Sequence, residues 1–163
     1  MPHKQITDLM NEQINYELYS AYLYLDMSQY FATRGLDGLC HWYEVQAHEE
    51  LDHAMKFIHH MEQNNMPISL KQIERPGKCY SRDIDVFADA LAHEEFITSC
   101  IHNLYATALE AHDFRTAKFL DWFVEEQDEE EQNARNMIAK IENFGGNYGG
   151  RYMLNQEFLS RKK

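Results

Sequence analysis

The stretch EELDHAMKF, residues 49–57, places Glu50 and His53 three positions apart in a segment without proline or glycine that runs over residues 39–66. Residues three and four apart share one face of a helix, and the row through this pair is otherwise largely apolar. That row is Leu39, Tyr43, Gln46, Glu50, His53 and Phe57. A Glu-x-x-His pair on such a face can hold a metal ion, but it can also be an ion pair or a satisfied core histidine. The remainder of the chain has to distinguish these readings.

The composition is that of a folded chain with a strong negative charge. The 163 residues, 44% of them hydrophobic, suit one domain with a sizeable core. The formal net charge of −12 favours attraction of cations and disfavours contact with a phosphate backbone, so no nucleic-acid partner is expected. No run reaches the roughly eighteen apolar residues of a membrane span, and no apolar signal-peptide core is found near residue 1. We therefore expect a cytoplasmic protein without a membrane partner.

Glycine and proline divide the chain into helical segments. We predict long helices over residues 6–33, 39–64, 83–111 and 114–143, and a short fifth helix over residues 152–160. The links within the first and second pairs are too short for anything except a reversal of direction, whereas the connection between the pairs can span the ~40 Å length of a helix. The predicted fold is all-α, a four-helix bundle with one long crossover between the second and third helices.

Two finer expectations concern boundaries. Residues 1–145 are predicted to form the bundle, and residues 146–163 a glycine-rich hinge, the fifth helix and a basic tail of the same domain. Ser81 or Asp83 is expected to cap the third helix, and Asp113 the fourth.

The other long helices also interrupt apolar rows with a glutamate. These glutamates are Glu17, Glu94 and Glu130. The row expected for the first helix is Ile6, Met10, Gln13, Glu17, Ser20, Tyr24, Met27 and Phe31. The row expected for the third helix is Phe87, Leu91, Glu94, Thr98, Ile101, Tyr105 and Ala108. The two halves of the chain repeat the pattern, since Glu17 precedes Glu50 by the same interval as Glu94 precedes Gln127.

Four converging carboxylates would cost several kcal/mol each if they were buried, charged and unpaired. No lysine or arginine shares the four rows, so a cation has to compensate the charge, and two divalent metal ions would balance four carboxylates. Oxygen ligands with one imidazole suit iron or manganese, whereas a structural zinc site prefers thiolates. Glutamates from four helices with a Glu-x-x-His turn are typical of di-iron carboxylate bundles.

Four motifs carry a resemblance to the ferritins over essentially the whole chain. They are NEQINYELYSAYLYL at 11–25, HEELDH at 48–53, HEEFIT at 93–98 and WFVEEQDEEE at 122–131, in the family's order around its crossover. The chain is most similar to the prokaryotic non-haem ferritins. The resemblance implies a ferritin-like bundle, a cage of twenty-four subunits, oxidation of Fe(II) by oxygen or hydrogen peroxide at a ferroxidase centre within each subunit, and storage of ferric mineral.

The resemblance also implies roles for individual residues. It gives the first iron site to Glu17, Glu50 and His53, and the second to Glu50, Glu94 and Glu130. Gln127 matches an amide that forms a hydrogen bond or binds iron weakly. A third iron site is matched by Glu49, Glu126 and Glu129 with Glu130 shared, although a solvated acidic face is the alternative for the first three.

Two aromatic residues lie near these positions. Tyr24 matches a tyrosine beside the family's centre and is placed among the catalytic residues, with an ordinary core aromatic as the alternative. Trp122 is read as packing.

Departures from related families narrow the prediction. Haem-carrying members would place a second Glu-x-x-His and a methionine where this chain has Gln127, Glu130 and Leu51, so no haem is expected. A four-cysteine iron module of the rubrerythrin kind is absent from the sequence, and Arg161 to Lys163 are only a short, solubilising version of the basic tails of DNA-protecting mini-ferritins. The alternatives left are a di-iron oxidase or peroxidase that stores no mineral, and a purely structural bundle, which would not explain four core glutamates.

Overall fold

A computed structural model describes residues 2–162, with side chains from residue 4 onward, and residues 1 and 163 of the expected domain limits lie outside this range. The five helices are α1 Pro2–Ala32, α2 Asp37–Gln63, α3 Asp83–Glu110, α4 Phe114–Phe144 and α5 Tyr148–Phe158. No described residue belongs to a strand. The all-α prediction, with four long helices, one long crossover and a short fifth helix, is confirmed. None of the helices over residues 2–162 has an apolar stretch long enough to traverse a bilayer.

The helices pair as the link lengths predict. α1 packs against α2, α3 packs against α4, and α1 also contacts α3. Gly38 at the start of α2 and Asp83 at the start of α3 both contact α5, through Asn155 and Arg151 respectively. Because both helices begin at the end of the bundle that carries α5, α2 and α3 run parallel.

The crossover over residues 64–82 lies along α1. Asn11 donates from Nδ2 to the carbonyl of Pro67 at 3.0 Å and accepts from the backbone N–H of Ser69 at 2.7 Å. Asn15 donates to the carbonyl of Gln72 at 3.1 Å. These hydrogen bonds satisfy backbone groups of a segment that lies outside the helices.

The start of α5 differs from the sequence-based expectation. α5 begins at Tyr148, four residues before the expected start at Tyr152, because Asn147 caps it by accepting from the N–H of Gly150 at 2.8 Å. A Cβ at Gly150 would overlap the carbonyl oxygen of Phe144, so the glycine run belongs to a tight turn and the first turn of the helix rather than to a hinge. The remaining helix ends differ by a few residues, as is common at frayed termini.

Side-chain capping follows the prediction at one of two helices. Arg82 occupies the N-cap position of α3 and forms no side-chain cap, so the expectation of Ser81 or Asp83 was wrong. Asp113 caps α4 as predicted, because its Oδ1 accepts from the N–H of Thr116 at 3.1 Å.

The N-terminus of α2 is capped from a distant part of the chain. Asn155 Oδ1 accepts from the backbone N–H groups of Gly38 at 2.7 Å and Leu39 at 3.2 Å. A Cβ at position 38 would overlap the backbone oxygen of Asn155, so only glycine allows this approach. The contact fixes α5 across the end of the bundle.

The bundle core consists of two apolar clusters with a polar layer between them. One cluster comprises Leu23, Tyr24, Met27, Phe31, Leu39, Tyr43, Val86, Phe87, Ala90, Met137, Leu154 and Phe158. The other comprises Ile6, Met10, Ile14, Phe57, Met61, Ile97, Ile101, Leu104, Leu120 and Phe123. The predicted rows of α1 and α2 are buried throughout.

The row of α3 needs a correction. The expected Leu91, Thr98 and Tyr105 are only half-buried, and Ala90, Ile97 and Leu104 are buried in their place. Both rows share Phe87, Glu94, Ile101 and Ala108, so the helical period alone does not choose the side that faces the bundle.

Candidate metal centre

The polar layer brings together one glutamate from each long helix. Glu17, Glu50, Glu94 and Glu130 are between 1% and 5% exposed, and His53 is 3% exposed. Their ligand atoms form two groups, and within each group the atoms lie within 4.8 Å of one another. The groups are Glu17, Glu50 and His53, and Glu50, Glu94 and Glu130. Glu50 belongs to both, as expected of a residue that bridges two ions.

The ring of His53 is held between carboxylates. Its Nδ1 lies 3.2 Å from Glu50 Oε2 and 3.9 Å from Glu17 Oε2, and its Nε2 lies 3.5 Å from Glu126 Oε1. Burial opposes protonation of His53, but its hydrogen bonds to Glu126 and Glu50 and the negative charges of Glu50 and Glu17 outweigh burial and raise its pKa to about 11. Without metal, His53 is therefore a cation. Trp122 packs edge-on against the same ring, with centroids 5.4 Å apart.

The glutamates differ in charge state. Burial, together with the charge of Glu50, raises the pKa of Glu17 well above its ordinary value and that of Glu94 to about 8. Burial and the charges of Glu94 and Glu50 raise the pKa of Glu130. Burial alone would raise the pKa of Glu50, but the hydrogen bond and charge of His53 outweigh it and lower that pKa. Protons thus compensate part of the charge that metal ions alone were expected to balance.

The donor set fits divalent cations. Glu17 Oε2 is buried without a hydrogen-bond partner among the described residues, which is costly for a carboxylate oxygen unless a cation binds it. The remaining ligand atoms are carboxylate oxygens and one imidazole nitrogen, a combination that suits iron or manganese.

Neutral side chains hold the carboxylates in place. Gln13 Nε2 donates to Glu17 Oε1 at 2.7 Å. Gln46 Nε2 donates to Glu50 Oε1 and Glu130 Oε2, each at 2.9 Å. Both glutamines lie on rows that are predicted to be buried, but the sequence pattern predicts no role for them. The signal was present, since each precedes a site glutamate by four residues, the spacing at which helical side chains touch.

Glu94 has two hydrogen-bond donors of its own. Gln127 Nε2 donates to Glu94 Oε2 at 3.0 Å. The hydroxyl of Tyr24 donates to Glu94 Oε1, and the Tyr24 ring stacks on Tyr43 with centroids 5.8 Å apart. Burial, together with the charge of Glu94, raises the pKa of Tyr24, so its hydroxyl remains a donor.

The structure assembles only part of the expected third site. Glu126 joins His53 and Glu130 in a third group of possible ligands. Glu129 is exposed and belongs to no such group. Glu49 is also outside the groups, and its Oε2 is paired with Arg161 Nη2 at 2.6 Å. The reading of Arg161 as part of a merely solubilising tail was wrong, since its side chain is only 13% exposed.

Comparisons with known proteins agree with this geometry. A family model described as a ferritin-like domain matches residues 7–144. A bacterial non-haem ferritin of Campylobacter jejuni is 38% identical, with both chains covered completely. One from Escherichia coli is 31% identical over 94% of this chain and 93% of its own. The open-pore ferritin of Archaeoglobus fulgidus superposes with a TM-score of 0.96 at 35% identity, covering 99% of this chain and all of that one.

Proposed function

This chain belongs to the ferritin family, and on that premise we propose that it is an iron-storage ferroxidase. It oxidises Fe(II) at a di-iron centre within each subunit and stores ferric oxyhydroxide inside a homo-oligomeric cage of twenty-four subunits in the cytoplasm. The observation that carries this proposal is the pair of buried three-residue groups that share Glu50. Fe(II) and oxygen or hydrogen peroxide are the substrates, and neither a nucleic acid nor a membrane takes part.

The two Fe(II) ions are substrates whose ligand sets share Glu50. Glu17 and His53 bind one ion, Glu94 and Glu130 bind the other, and Glu50 bridges them. The charges of the four carboxylates then balance those of two divalent ions, so the carboxylates no longer repel one another. In the metal-free protein, bound protons limit the same repulsion. His53 binds through Nδ1, the nitrogen that faces Glu50 and Glu17.

Holding the ions as a pair matters because oxygen is reduced to hydrogen peroxide by two electrons. Two Fe(II) ions supply one electron each, so that two Fe(II), one O2 and two protons give two Fe(III) and one H2O2. Burial of the ligands excludes bulk water, and the hydrogen bonds from Gln46 fix the positions of the Glu50 and Glu130 carboxylates. We place Tyr24 at the same centre because its hydroxyl contacts Glu94.

A third ion position is proposed beside the pair. Glu126 and the shared Glu130 would bind it, and Glu49 and Glu129 would complete it after movement of their side chains. Glu49, Glu126 and Glu129 would thus hold an additional Fe(II) that supplies electrons or passes ferric iron onward, and these three residues would not bind the paired ions themselves.

Electron microscopy after aerobic loading with Fe(II) tests the storage function. We expect hollow shells with electron-dense cores, and a matching mass by size-exclusion chromatography. A small oligomer without a core would overturn storage. If such an oligomer still oxidised Fe(II) in pairs, the chain would be an oxidase or peroxidase that stores no mineral.

A further inference from the structure

The chain segment after α5 returns to the metal centre through Arg161. Its guanidinium donates from Nη1 to the carbonyl of Trp42 at 3.1 Å, and from Nη2 to Gln46 Oε1 at 2.9 Å and Glu49 Oε2 at 2.6 Å. All three partners belong to α2, on the side of the helix next to the metal ligands. Arg161 thus brings to this face a positive charge that the four helix rows lack.

Further contacts fix the position of the guanidinium. Arg161 Cζ lies 4.1 Å from the centroid of the Trp42 ring, a distance typical of a cation–π contact. The carbonyl oxygen of Arg161 lies 2.7 Å from His41 Nε2. A side chain held by a ring, a backbone carbonyl, an amide and a carboxylate is ordered by its surroundings, which distinguishes it from a solvated basic tail.

Arg161 affects the metal centre through two residues. Arg161 does not bind metal itself. Its Nη2 donates to the oxygen of the Gln46 amide, and the nitrogen of that amide donates to Glu50 and Glu130. It also occupies a carboxylate oxygen of Glu49, and its charge repels any cation that approaches that carboxylate. Glu126, by contrast, already lies beside His53.

We propose that Arg161 is a positioning residue that holds the centre in a two-ion state, an arrangement that we call the latch. It does so by pairing with Glu49 and by orienting the Gln46 amide toward Glu50 and Glu130. A third divalent ion beside Glu126 gains Glu49 as a ligand only when it displaces the guanidinium. The number of ions held is thereby coupled to the position of the segment after α5. The inference depends on the proposed function for the identity of the ions, whereas the latch itself concerns any divalent cation.

The test measures binding of Zn(II), which is redox-inert, to the assembled metal-free protein by titration calorimetry. We expect wild type to bind two ions tightly and a third weakly. Arg161→Gln should bind the third about tenfold more tightly, since one charged hydrogen-bonded pair no longer competes. The adjacent Lys162→Gln serves as the matched control and should behave as wild type, because Lys162 is exposed.

A double-mutant comparison identifies Glu49 as the ligand that is released. Glu49→Gln should change third-ion affinity little in the wild-type background and should abolish the gain in the Arg161→Gln background. Arg161→Lys keeps one charge but lacks the fork, so it should give a smaller gain even if Arg161→Gln assembles poorly. Unchanged third-ion affinity in both Arg161 variants, or a gain that survives Glu49→Gln, would overturn the latch. Correct Zn(II) behaviour without Fe(II) oxidation would refute the ferroxidase while leaving the latch intact.

Discussion

His53 Nδ1 lies 3.2 Å from Glu50 Oε2, one turn earlier on α2. With the pKa of His53 raised to about 11, this contact is an ion pair in the metal-free protein. A metal ion that binds between the two side chains takes the place of the histidine proton. Metal binding is therefore an exchange of protons for cations.

The first prediction is that Zn(II) binding releases protons near pH 7. His53, and Glu94 with its pKa of about 8, must both lose protons when they bind metal, so affinity should rise with pH between 6 and 8. Calorimetry in two buffers with different ionisation enthalpies measures the number of protons released. Binding heats that do not depend on the buffer would contradict this exchange.

The second prediction concerns the stability of the metal-free protein. The pKa of Glu94 is raised from 4.5 to about 8, so the folded state holds a proton that the unfolded state has lost, and stability falls as pH rises through that window. His53 acts in the same direction above 6.5, its ordinary value. The lowered pKa of Glu50 reduces the stability of the folded state only as the pH falls below about 4.5, which is outside the pH range in which Glu94 and His53 act.

Denaturation midpoints between pH 5 and 8.5, in the presence of a chelator, measure this dependence. Glu94→Gln should flatten the slope without removing it, because His53, Glu17 and Glu130 still contribute. A Glu94→Gln slope equal to that of wild type would show that this carboxyl carries no extra proton.

A third prediction separates charge from hydrogen bonding at the second ion. Glu94→Gln combined with Glu130→Gln should leave the metal-free protein at least as stable as wild type, while paired Zn(II) binding is lost. At position 94 the amide oxygen can accept from Gln127 while the amide nitrogen donates to the hydroxyl oxygen of Tyr24, and at position 130 the amide oxygen still accepts from Gln46. The repulsion between carboxylates disappears.

Apolar replacement provides the comparison for that variant. Glu94→Leu with Glu130→Met leaves the same buried donors unsatisfied, at a cost of about 1–3 kcal/mol each. We expect urea denaturation to place it below the double glutamine variant. The reverse order would mean that repulsion outweighs the hydrogen bonds.

The repeated glutamates and the rows of α1 and α2 were predictable because helical period and burial are local properties of the sequence. The start of α5 was predicted four residues too late because glycine is typical of turns, whereas Gly149 and Gly150 lie in the first turn of this helix. The caps and latches formed by Asn155 and Arg161 could not be predicted, since they join residues more than a hundred positions apart. Such contacts depend on where α5 packs, which no local pattern encodes.

A fourth prediction concerns Tyr24. Tyr24→Phe removes one hydrogen bond to Glu94, which should cost about 1 kcal/mol of stability in the metal-free protein. The number of tightly bound Zn(II) ions should stay the same, whereas the rate of Fe(II) oxidation should fall. Stopped-flow absorbance compares the rates, and an unchanged rate would leave Tyr24 as an ordinary core aromatic.

The most direct test of the di-iron centre is an oxygen-consumption titration of the metal-free, assembled protein with Fe(II). Because two ligand groups share Glu50, the fast phase should end at two Fe(II) per subunit. Glu50→Ala should abolish that breakpoint, and Glu62→Ala, which removes an exposed glutamate from the same helix, should preserve it. A wild-type titration without a breakpoint at two, or fast paired oxidation that persists in Glu50→Ala, would contradict the account.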